Sequence, residues 1–193
     1  MSSNKGALER SRDGVTVDWR EHLMLNVFRI LRVLHTDEML RLSISSHLFT
    51  EYFKGMEKVQ AVREIFGEGT DEVLRNLKID LTWIGGYMWV NSADGHLMIS
   101  SNYLNHGDRV DIYLDLIHEL VHVKQLMEGK ELFDFHYSYT ARPTEIEAYR
   151  VAVREARRLG LSDEKIRNYL KTEWMSDEDL RRLAKTLNVN CKH

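Results

Sequence analysis

The residues with the clearest capacity for chemistry are His118-Glu119-Leu120-Val121-His122. On a helix, positions i and i+4 lie on one face, a turn apart. Two imidazoles so placed can hold one divalent ion through their ring nitrogens, and the carboxyl of Glu119 can then reach a water carried by that ion. An ion that is to act on a substrate needs a third protein ligand and an open coordination position. The segment Pro143-Thr-Glu-Ile-Glu-Ala-Tyr-Arg150 offers two glutamates. On a helix, Glu145 shares a face with Ala148, Tyr149 and Ala152, and small residues there permit close approach to another helix. Glu147 shares its face with Arg150, Val151 and Arg154, the pattern of a solvated, ion-paired surface. Glu145 is therefore the expected third ligand, with Glu147 as the alternative.

A helix must carry the histidines, and residues 111–127 read as one. Leu116, Ile117, Leu120, Val121 and Val123 make it apolar on several sides, so it belongs in the interior. Two imidazoles and a carboxyl there need partners, because an unpaired buried polar group is costly. A metal would supply them. Gly129 ends this helix. A second helix is expected from Pro143, the single proline and suited to a first helical turn, to Leu159, stopping at Gly160. Between them Phe133, Phe135, Tyr137 and Tyr139 alternate, as in a strand or extended loop. Upstream, the β-branched and aromatic run 79–91 and the run 96–100 flank Asp94-Gly95, a strong hairpin signal. A small antiparallel sheet is expected at 79–101. The remaining periodicities are helical. A broad apolar stripe covers 19–34, and Thr36-Asp37-Glu38 reads as a cap. A long helix carries Phe49, Tyr52, Phe53, Met56, Val59, Val62, Ile65 and Phe66 up to Gly67, and a short one starts at Thr70. Ser162 and Ser176, each followed by acidic residues, cap two C-terminal helices.

These elements give an α+β class, mainly α. The expected organisation is a disordered tail over 1–17, a helical region over 18–78, a core over 79–160 and C-terminal helices over 161–193, together one compact domain. The length of 193 residues and the 43% hydrophobic content suit that. With 27 basic and 30 acidic side chains the net charge is −3, which argues against a general nucleic-acid binder. No window approaches the ~18 apolar residues of a membrane span, and the N-terminus lacks the apolar stretch of a secretory leader. No membrane partner and a cytoplasmic location are expected. The one cysteine, Cys191, allows no disulfide within the chain.

Taken together, the chain resembles a zincin metallopeptidase of the gluzincin type, in which His118-Glu119-x-x-His122 is followed by a glutamate on a later helix. Several compact zincin families carry Glu-x-Glu-Ala-(Asp/Asn) there, and this chain has Glu145-Ile-Glu-Ala-Tyr149. The resemblance covers residues 79–160. It implies zincin-like active-site helices with helical extensions on both sides. It also implies one zinc ion per chain on His118, His122 and Glu145, Glu119 as general base, and a peptide or protein substrate. A hairpin or edge strand would accept that peptide as an added strand, and 96–100 is the expected candidate. Zincins commonly donate a hydrogen bond to the developing oxyanion from a Tyr, His or Arg. His136, Tyr137, Tyr139 and Arg142, in the connection between the helices, and Tyr149 are the candidates. Tyr149 is also a departure, since the family's Asp or Asn at that position commonly orients a ligand histidine. Asp111 and Asp115 share the His118 face and are expected as caps or solvent-exposed acids. Arg150, Arg154, Arg157 and Arg158 are expected to pair with Glu147 and Glu155.

Three functional classes are consistent with these residues. One is a zinc-dependent peptidase. Another is a non-catalytic, metal-stabilised module whose helical flanks bind a protein. The third is an interaction protein in which the motif is accidental. Nothing in the sequence indicates an oligomeric state.

Overall fold

The computed structural model describes residues 45–83 and 86–190, all within one compact unit. The tail over 1–17, the helix expected over 19–34, the cap at 36–38 and Cys191 lie outside the described residues. The fold is α+β and mainly α. Strand β1 (Ser45–Leu48) leads into a single helical turn, α1 (Phe49–Tyr52). Helices α2 (Gln60–Phe66) and α3 (Thr70–Asn76) follow. The long helix predicted through 49–66 is thus broken. Gly55, at φ +88°, reverses the chain, and Val59 is extended. A left-handed φ cannot continue a right-handed helix.

The sheet comprises β1, β2 (Lys78–Thr82), β3 (Met88–Val90) and β4 (Leu97–Ser100), in the order β1-β2-β4-β3. The Asp94-Gly95 hairpin forms as predicted and pairs Trp89 with Met98, and Gly95 takes φ +76° in its turn. The sheet is mixed, however, and not antiparallel throughout. β4 lies between β3 and β2 and runs parallel to β2, with Ile79 opposite Leu97. β4 is buried at every position, as an interior strand covered on both faces must be.

Ser100 caps a short helix, α4 (Ser101–His106), and Asp108 caps α5 (Arg109–Met127) by accepting the Val110 and Asp111 N–H groups. Helix α5 ends as its sequence requires. Gly129, at φ +75°, lets the Lys130 N–H reach the Gln125 carbonyl and its own N–H reach that of Leu126. The connection that follows is irregular, with one 3-10 turn at Tyr139–Ala141 and no strand. Pro143 starts α6 (Pro143–Arg158), and Gly160, at φ +79°, closes it with the same pair of bonds. Ser162 and Ser176 cap α7 (Asp163–Leu170) and α8 (Asp177–Thr186).

Two apolar clusters hold these elements together. One joins Ile79, Leu97 and Ile99 of the sheet to Leu116, Ile117 and Leu120 of α5. The other joins Leu114 of α5 to Val153 and Ala156 of α6 and to Ile166, Leu170 and Leu183 of the C-terminal helices. Burying one such Leu or Ile side chain contributes about 1.5–3 kcal/mol. Ala148, Ala152 and Ala156 on α6 are fully buried, so α5 and α6 pack closely along that stripe. No helix among the described residues is long and apolar enough to cross a membrane.

Candidate metal centre

The close approach of α5 and α6 brings the motif and Glu145 together. His118 Nε2 lies 3.0 Å from His122 Nε2. Glu145 Oε2 lies 3.3 Å from the first and 3.5 Å from the second. All three residues and Glu119 are buried. Glu145 Oε2 is sealed from solvent and makes no hydrogen bond. A buried carboxylate oxygen in ion-pair reach of two imidazole nitrogens is satisfied either by a proton on the histidines or by a cation held among all three. The spacing suits one. A tetrahedral zinc site with bonds near 2.0–2.1 Å separates its ligand atoms by about 3.3–3.4 Å. The three edges found here bracket that value. His118, Glu119 and His122 also form a group able to hold an ion among themselves.

The electrostatics follow from burial and proximity. Burial pushes the Glu119 carboxyl up to about 8, offset in part by His122 and by the Val90 backbone N–H. Burial also draws the His118 imidazole down. For His122 and Glu145 burial is outweighed by their neighbours. Glu145 and Glu119 lift His122 to about 9, and the two histidines hold Glu145 far below the carboxylate range. Burial favours the protonated form of Glu119, and a divalent cation beside it would favour the carboxylate form.

The other predicted residues divide. Tyr139 is drawn in, and its hydroxyl lies 2.8 Å from that of Tyr149. The Tyr149 ring packs on His118 with centroids 4.3 Å apart. Tyr149 therefore restrains His118 by ring contact, and His118 Nδ1 is left buried without a hydrogen-bond partner. Arg142 is buried, with Nη1 3.8 Å from Glu145 Oε1 and Nε donating to the Asp134 carbonyl. His136 and Tyr137 are not brought in. The His136 side chain is 94% exposed and pairs with Asp134, and Tyr137 is exposed. Glu147 is turned away from the cluster toward Lys130 and Gln125. Arg154 and Arg158 pair with Glu64, not Glu147, because α2 packs beside them; Glu155 takes Arg158 as expected.

Two expectations need correction. The run 96–100 contains β4, whose two edges are already paired, so it cannot accept a further strand. The outer strand next to α5 is β3. Tyr87 and Asn91 direct their bonds toward β4. In an antiparallel ladder the intervening Met88 and Val90 point their backbone groups outward. Asp115 is neither a cap nor solvent-exposed. It is largely buried and accepts the Tyr103 hydroxyl at 2.6 Å. Asp108, not Asp111, caps the helix.

Gln125 was not singled out by the sequence. It is fully buried, one turn beyond Val121, and touches His122, Thr144 and Glu147. A buried amide in a helix that carries ligand histidines was the available signal. A second group, Asp80, Asp94 and His96, sits at the hairpin, where His96 Nδ1 lies 2.9 Å from Asp80 Oδ2. Asp94 there accepts the His96 backbone N–H and belongs to the turn. Comparison with protein-family models, curated proteins and solved structures finds no match for this chain.

Proposed function

We propose that the chain is a zinc-dependent peptidase of the gluzincin type, with one ion per chain on His118, His122 and Glu145. The observation that carries this reading is the convergence of two imidazole nitrogens and a carboxylate oxygen, 3.0–3.5 Å apart, from two helices. Zinc bound there would polarise a substrate carbonyl and acidify water. Glu119 is the general base, taking a proton from the attacking water on its carboxylate and passing it to the leaving amine. Arg142 holds Glu145 in place through Oε1. The Tyr139–Tyr149 hydroxyl pair shares one of its two protons internally and keeps the other to donate to a developing oxyanion. The outward edge of β3 is the surface for an extended peptide or protein substrate, and the Val90 N–H already points at Glu119. A cytoplasmic setting, without nucleic-acid or membrane partners, goes with this reading.

A second reading has its own support. His118 Nδ1 lacks the partner that usually orients a ligand histidine, which suits a metal-stabilised binding module. Elemental analysis of the protein and of His118→Ala separates the cases from a chance motif. About one zinc per chain, lost in a folded variant, supports the centre. Cleavage of a peptide library that stops in zinc-loaded Glu119→Gln supports the enzyme, and an inert zinc-loaded wild type supports the module.

A further inference from the structure

We propose that Gln125 is a positioning residue that keeps His122 protonated at Nδ1, so that Nε2 is the nitrogen turned to His118 and Glu145. The inference rests on reading His122 as a metal ligand. It comes from the accounting of one buried amide. Gln125 Nε2 donates to two acceptors, the Thr144 carbonyl at 3.0 Å and Glu147 Oε2 at 2.9 Å. Neither can donate in return, since one is a carbonyl and the other an ionised carboxylate held by Lys130 at 3.0 Å. Turning the amide over would set its oxygen against both. The orientation is therefore fixed from outside the centre, and Oε1 must face His122.

His122 Nδ1 lies 2.7 Å from that oxygen. An amide oxygen only accepts, so the proton of this bond belongs to Nδ1. A chain of charge-assisted bonds thus runs from Lys130 on the surface through Glu147 and Gln125 to one ligand ring. It fixes the ring's rotation and its nitrogen of attachment. This also gives Glu147 a part in the centre, one removed from the ion. His118 has no such chain, so the two histidines are held by different means.

Three variants test this in the full chain. Gln125→Met keeps the bulk and removes both ends of the relay. Glu147→Leu removes the acceptor on a side chain that is 47% exposed, where folding is not at stake. Glu147→Gln keeps an acceptor oxygen. Zinc affinity is read by chelator competition, the ring by the cobalt(II) visible band, and the bond itself by the His122 Nδ1–H proton resonance in metal-free protein. Expected are zinc binding weakened about 10–100-fold in Gln125→Met, a shifted cobalt band and loss of the resonance. Glu147→Leu should weaken binding by a smaller factor, and Glu147→Gln, which keeps an acceptor oxygen but loses the charge, should fall between Glu147→Leu and the wild type. A Gln125→Met protein that binds zinc like the wild type overturns the proposal. So does an Nδ1–H resonance that is absent from the wild type. If Gln125→Met does not fold, equal zinc affinity of Glu147→Leu and the wild type overturns it instead. A wild type that shows the resonance but binds no zinc overturns the metal reading, while the hydrogen-bond assignment stands.

Discussion

Asp115→Asn is expected to gain stability relative to the wild type as pH rises from acid to neutral. An aspartate in water titrates near 3.9. Burial pushes Asp115 up to about 6, with the Tyr103 hydroxyl offsetting part of the effect. At 1.36 kcal/mol per pH unit the gap corresponds to about 3 kcal/mol. The folded-state value lies above the unfolded one, so the folded protein binds more protons in between. The contribution of this carboxyl is then fully present below the unfolded value and is lost as pH rises through about 6. Asparagine does not ionise, and its altered hydrogen bonding adds an offset that does not depend on pH. The stability of Asp115→Asn relative to the wild type should rise by about 3 kcal/mol between about pH 3.5 and about pH 7. Urea titrations of both metal-free proteins across that range measure it, and shared titrations cancel in the difference. A difference that stays flat, or grows toward acid, would refute the argument that burial controls this group.

Tyr103→Phe is expected to do the reverse, costing about 1.5–3 kcal/mol at pH 7 because an ionised carboxylate loses its donor, and less at pH 4, where it is protonated; the same titrations read both. Ala152→Leu is expected to cost about 1–3 kcal/mol by overpacking the α5–α6 seam. It should also weaken zinc binding, since Glu145 rides on the displaced helix; denaturation and chelator competition on one preparation separate the two effects.

The parts of the site that follow from local spacing were legible in the sequence. His118, Glu119 and His122 fall together by helical period alone. Glu145 was separable from Glu147 because Ala148 and Ala152 marked the face that meets another helix, and both are fully buried. What depended on distant chain was not legible. Gln125 acquires its role only when α6 supplies the Thr144 carbonyl and Glu147. Asp115 is buried where Tyr103, twelve residues earlier, and Tyr169, from a later helix, come against it. The strand β1, with the sequence Ser-Ser-His-Leu, has no apolar alternation to announce it, since it is an edge strand exposed along most of its length. The parallel pairing of β2 with β4 was hidden for a similar reason. A hairpin signal reports which strands are joined and says nothing of which third strand slides in beside them.

The strand order also constrains the sequence of events by which the chain assembles. β3 and β4 are joined by a short turn, so their contacts close a small loop and can form within about 1–10 μs. β2 meets β4 across the intervening hairpin, with Asp80 opposite Met98, and that pairing must close a longer loop. The hairpin is therefore expected to form first and to present the free side of β4 as the template on which β2 takes its register. Gly95→Ala tests the order, because alanine is strained at φ +76°. If the hairpin leads, the folding arm of a denaturant chevron should drop by most of the lost stability, and if it follows, the unfolding arm should rise instead.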